Sequence, residues 1–98
     1  MSPAIIFRPI ARLEMDEAMT CYHGQKEALE AEFKDAVEQT LERIAAAPLR
    51  FGPVRGEVRR ALLRRFPYAI HFVAEPNAII VLAVFHTKRD PRHLDGRT

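Results

Sequence analysis

Ninety-eight residues leave room for one folded domain, and an apolar share of 48% with only four glycines argues against a disordered chain. No apolar run approaches the roughly 20 residues of a membrane span and no secretory leader opens the chain, so a cytoplasmic protein with no membrane role is expected. The net charge of +2 conceals an asymmetry: residues 1–48 hold five Lys/Arg against nine Asp/Glu, residues 49–98 hold ten against four, and nine of those ten are arginine.

Ala4-Ile5-Ile6-Phe7-Arg8 is a short apolar run halted by Pro9, the pattern of a first strand. From Ile10 the period changes. Ala11, Met15, Ala18, Met19 and Tyr22 recur at helical spacing with Glu14, Asp16 and Glu17 between them, which predicts an amphipathic helix stopping near Gly24, its methionine stripe in the core. A second helix is expected from about Gln25 to Ala47. Leu29, Phe33, Val37, Leu41 and Ile44 form its buried stripe, and Pro48 and Gly52-Pro53 end it. So short a break between two helices implies a hairpin.

Leu49 to Gly56, which follows Pro48 and holds Pro53 and two glycines, is expected to be a loop. Val58 to Leu63 is expected as a strand of loose register, because Arg59 and Arg60 are adjacent and Ala61-Leu62-Leu63 is continuous. Phe66-Pro67-Tyr68 opens the next strand, placing Tyr68, Ile70 and Phe72 on one face and Ala69, His71 and Val73 on the other. Glu75-Pro76-Asn77 supplies turn chemistry, and the eight apolar residues from Ala78 to Phe85 read as a fully buried last strand. The order β-α-α-β-β-β predicts an α+β domain in which the helix hairpin packs on one face of a mostly antiparallel small sheet. The other face is expected to be partly open and basic.

The candidate functional residues lie in the arginine-rich half. Arg59, Arg60, Arg64, Arg65, His86, Lys88, Arg89, Arg92 and His93 form a basic rim suited to an anionic partner, since the guanidinium fork pairs bidentately with phosphate or carboxylate. A solvated rim has the same composition. His71, alone in a strand, is expected to be locally hydrogen-bonded or exposed. Asp90 suits a turn before Pro91 or an ion pair with Arg89 or Arg92. The lone Cys21 cannot form an intramolecular disulfide and is read as packed or idle. The histidines at 23, 71, 86 and 93 show no metal-ligand spacing, so neither a metal nor a cofactor is expected.

The element order, with Arg43-Ile44 followed by Pro48, Arg64-Arg65-Phe66-Pro67-Tyr68, and His86-Thr87-Lys88-Arg89-Asp90-Pro91 after an apolar strand, resembles the RelE/ParE superfamily of toxins from bacterial type II toxin-antitoxin pairs. The Phe-Pro-Tyr strand start combined with the His-x-x-Arg-Asp ending carries the resemblance, which spans nearly the whole chain. It implies a single toxin domain over residues 1–98, neutralised by a cognate antitoxin in a hetero-oligomer. RelE-like members cleave messenger RNA on the ribosome, whereas ParE-like members poison DNA gyrase without nuclease chemistry.

Metal-free RNA cleavage needs a base, an acid and cations against the developing charge. Cations are plentiful, and His93, Glu57 and Arg64 are the catalytic candidates if the chain is RelE-like. The resemblance implies lysines on the second strand and a tyrosine near the end of such nucleases. Here that strand carries arginine and the ending is His93-Leu94-Asp95. The ParE-like alternative, a gyrase-directed toxin without catalytic residues, is therefore preferred, with the basic segment from His86 to Arg97 expected to touch the target. A third alternative is a non-toxic, partner-binding or autoregulatory subunit.

Overall fold

A computed structural model describes residues 3–97. Strand β1 (Ala4–Phe7) passes through Arg8 into helix α1 (Pro9–Gln25). Pro9 both ends the strand and starts the helix, because a first-turn residue has no intrahelical use for the N–H that proline lacks. Gly24 lies within α1. The break falls instead at Lys26, whose extended backbone interrupts the helix while its N–H still closes on the Tyr22 carbonyl at 3.0 Å. Helix α2 (Glu27–Ala46) follows at once. Phe33, Val37 and Ile44 are completely buried along it. Thr40 joins them by donating its hydroxyl to the Ala36 carbonyl at 2.7 Å, which satisfies the one polar group in the stripe.

The sheet has five strands in the order β1-β5-β4-β3-β2, with β2 (Pro53–Arg55), β3 (Val58–Leu62), β4 (Tyr68–Glu75) and β5 (Ala78–His86). Neighbours are antiparallel except β1, which runs parallel to β5. The expected α+β architecture is thus present, but Leu49 to Gly56 is not all loop. A 3-10 turn at Pro48–Arg50 and the edge strand β2 occupy it, and Gly56, at φ 58°, turns β2 into β3. Three residues are too few to display a period, and proline at a strand's outer edge removes no ladder bond that the sheet needs.

Register sorts the side chains into two cores. Phe72 and Ile70 lie opposite Arg59 and Ala61, and this face packs beneath the helices with Phe33, Val37 and Ile44. Arg60 lies opposite His71 and Leu62 opposite Ala69 on the second face. A bulge at Leu82 changes the phase of β5, because His71 pairs with Ala83 and Phe72 with Val81. Val81 and Val84 consequently both face the helices, while Leu82 and Ala83 both belong to the second core. A continuous apolar run carries no alternation from which that slip could be read.

The second face is less open than expected. Beyond β5 the chain folds back over it through a 3-10 turn at Pro91–Leu94, seating Leu94, 2% exposed, among Val58, Leu82, Ala83 and Phe85. On the helix side, Phe66 and Tyr68 join Tyr22 and Phe33 in an aromatic cluster with ring centroids 5.0 to 6.0 Å apart and largely edge-on. The Phe-Pro-Tyr run therefore fastens the start of β4 to both helices. Phe66→Ala is expected to cost about 3–5 kcal/mol through the cavity it leaves, measured as a lowered midpoint in urea denaturation with an unchanged slope.

Candidate functional site

Strand β1 covers β5 only as far as the pairing of Phe7 with Val81, so the rest of that long edge needs other partners. The Arg8 N–H donates to the Val81 carbonyl at 2.9 Å, and the Arg97 guanidinium to the Leu82 carbonyl at 3.2 Å. The Val84 N–H donates to Glu14 Oε1 at 3.1 Å. Glu14 is 9% exposed and also accepts from Arg89 at 2.8 Å and from both terminal nitrogens of Arg97 at 2.9 and 3.1 Å. One carboxylate thereby joins α1, the edge of β5 and the chain beyond it. The sequence pattern sets Glu14 among the polar residues that interrupt the helix stripe. The signal was nevertheless present: Glu14 stands three residues after Ala11 and four before Ala18, which puts it on the buried side.

On the second face, a cleft of about 370 Å³ lies between β3, β4 and the segment after β5, lined by Arg60, His71, Phe85, Thr87, Lys88 and Arg89 among others. His71 is neither exposed nor locally bonded, contrary to expectation. It is 4% exposed, and its Nδ1 has no hydrogen-bond partner among the described residues. Burial, reinforced by the Arg60 and Arg97 charges, pushes its pKa down to about 4 and keeps the ring neutral at pH 7. A smaller cavity of about 210 Å³ lies on the helix side of β5, with Glu17, Cys21, Tyr68 and His86 in its walls. Cys21 is exposed rather than packed. Burial raises the pKa of the Tyr68 phenol.

The expected rim residues part company. Arg59 faces the helix side and donates to the Phe51 carbonyl at 2.6 Å, so its charge serves the fold. Arg60 and Lys88 are exposed at the cleft, with Arg89 beside them, 42% exposed over the Phe85 ring and held by Glu14. Arg64 is exposed beyond the end of β3, and Arg65 reaches Glu32 at 3.3 Å from a left-handed backbone (φ 72°). His86 Nδ1 accepts from the Lys88 N–H at 3.1 Å, with its ring beside Tyr68. Arg92 is tied to Asp90, which also accepts the Arg92 N–H and so caps the last turn. His93 is exposed at the edge of Phe85. Arg97, expected within the target-facing segment, is 12% exposed and committed to Glu14. No group of three or more His, Cys, Asp or Glu able to hold a metal ion occurs among the described residues.

The Glu14 junction predicts that Glu14→Ala destabilises the chain by about 3 kcal/mol, because Arg97 is left buried without its counter-charge. Glu14→Gln should lose less, since it can still accept from Val84, and urea denaturation of the two variants tests the order. His71 makes stability depend on pH. Its folded pKa of about 4 lies below its ordinary value of 6.5, so stability is complete above about pH 6.5 and falls as the pH drops toward 4. The loss attributable to this residue is about 3 kcal/mol. His71→Phe should flatten that part of the profile, which comparison of unfolding free energies between pH 7 and 4 would reveal.

Residues 5–91 match the family model described as the ParE toxin of type II toxin-antitoxin system, parDE. No curated protein matches. Among solved structures, the chain is similar to one described as the chromosomal ParDE TA system from P. aeruginosa, at 23% identity and a TM-score of 0.67. That likeness covers 87% of this chain and 96% of the other, and at such identity it speaks for the shared fold. Because the family model spans most of the sequence, from β1 through the start of the last turn, the chain belongs to the ParE toxin family of type II toxin-antitoxin systems.

Proposed function

We propose that this toxin acts by binding DNA gyrase rather than by cutting RNA, and that a cognate antitoxin neutralises it in a hetero-oligomer. The observation that supports this reading is the make-up of the basic cleft, whose walls offer fixed cations but no paired acid and base. Cleavage of RNA without a metal needs a base and an acid within reach of one phosphodiester. Glu57 and Arg64 flank β3 at its opposite ends, and a guanidinium is a poor proton carrier at neutral pH. His93 stands at the edge of Phe85 and, like Glu57, is not part of the cleft lining. His71, the histidine in the cleft wall, carries too few protons at pH 7 to serve as an acid, and at a pKa of about 4 it is a weak base. The remaining surface offers fixed cations, which suits docking more than proton transfer.

The RelE-like alternative keeps one supporting observation, the exposed imidazole of His93 beside the basic cleft. One experiment separates the two readings. Purified toxin is incubated with gyrase and relaxed plasmid, and in parallel the chain is expressed without its partner while transcripts and chromosome breaks are mapped. The expected result is inhibited supercoiling with accumulation of linear DNA, intact transcripts, and relief on adding the antitoxin. His93→Ala should then retain activity to within about threefold, the effect of a minor rim contact. Ribosome-bound transcripts cut by the chain, with the cutting lost in His93→Ala, would overturn the proposal.

A further inference from the structure

The cleft on the second face holds more cationic groups than the molecule itself uses. Among the described residues, neither Arg60 nor Lys88 has a carboxylate within ion-pair distance. Arg89 gives one terminal nitrogen to Glu14. The carboxylate in the lining, Asp90, is already occupied by the N–H and guanidinium of Arg92. His71 lies directly opposite Arg60 across the β3–β4 pair, which sets their Cβ atoms roughly 5 Å apart. Its unpartnered Nδ1 is a second and independent sign, because a buried polar atom without a partner costs about as much as a lost hydrogen bond. The ring is a wall of the cleft, so a ligand seated there lies against it.

We infer that this cleft is a phosphate-binding site, with Arg60 and Lys88 as the charged contacts and His71 as a neutral hydrogen-bonding partner beneath them. The shape of the donor set favours phosphate over carboxylate. Arg60 offers a planar fork, Lys88 a point charge from the other side, and Thr87 a hydroxyl at the rim. Donors converging from several directions fit a tetrahedral anion, whereas a planar carboxylate would be filled by the Arg60 fork alone. The phosphate can belong to a nucleic-acid backbone or to a free nucleotide, since both present the same oxygens. The inference does not require gyrase as the target.

The test follows the His71 ring by NMR in the full chain while inorganic phosphate, a nucleoside monophosphate or a short DNA duplex is added. Saturable shifts of the His71 resonances are expected. Arg60→Gln should weaken the response at least about tenfold, the loss expected for a charge-assisted contact. Lys34→Gln, on the exposed side of α2, removes the same charge elsewhere and should leave it unchanged. Tighter binding of the duplex, with a salt slope that falls by about 0.9 when Lys88 is changed to Gln, would assign the phosphate to a nucleic-acid backbone. Tighter binding of the mononucleotide would assign it to a free nucleotide. A silent His71 at millimolar concentrations of all three probes, or an equal response in Arg60→Gln, would overturn the inference and leave the gyrase reading standing. Cut transcripts would do the reverse.

Discussion

A single carboxylate, Glu14, replaces the part of a strand that this sheet lacks. Strand β1 has four residues and β5 has nine, so an edge in the middle of the molecule would expose backbone groups with no ladder to join. Glu14 accepts the free Val84 N–H, and Arg97, held by that same carboxylate, donates to the Leu82 carbonyl. The donor and acceptor of the missing strand are thus supplied by two side chains that also neutralise one another. This arrangement explains why a charged residue stands on the buried side of α1, and why the segment beyond β5 lies fixed across the sheet instead of trailing into solvent. Leu94, close to Arg97, contributes the apolar half of the same attachment.

The Glu14 attachment also decides which arginines remain for partners. Arg59 and Arg97 are consumed internally by Phe51 and Glu14, Arg65 and Arg92 are neutralised by Glu32 and Asp90, and Arg89 is shared. The exposed pairs of Arg65 and Arg92 contribute little to stability, because water and salt screen them. Their consequence is geometric: Arg65 is held toward α2, and Arg92 occupies Asp90 in the cleft lining. Arg55 is likewise paired, with Asp95, so a charge count over residues 49–98 overstates the field the molecule presents, and among the described residues the unpaired charge rests on Arg50, Arg60, Arg64 and Lys88.

Much of the fold was legible because its elements obey simple periods. The α2 stripe of Phe33, Val37 and Ile44 buries as its spacing requires, and β4 alternates Ile70 and Phe72 against Ala69 and His71. What escaped the sequence was fixed by relations between distant residues. The bulge at Leu82 is invisible in an unbroken apolar run, β2 is too short to show alternation, and the pairing of Glu14 with Arg97 joins positions 83 residues apart. The site was legible only in composition. Its arginines stood out, but which of them were free depended on partners such as Phe51 and Glu14 that no local pattern connects to them.

The parallel pairing of β1 with β5 has a consequence for synthesis. Ala4 to Phe7 find their strand partner at Ala78 to Val81, and Glu14 waits for Arg89 and Arg97. Such contacts, distant along the chain, close late, so the helix hairpin and its neighbouring strands can form while the edge next to β1 is still incomplete. The basic cleft needs residues 85–91 and is among the last surfaces to be assembled. A nascent chain of this toxin thus carries its helices and its inner strands before it carries the complete basic cleft.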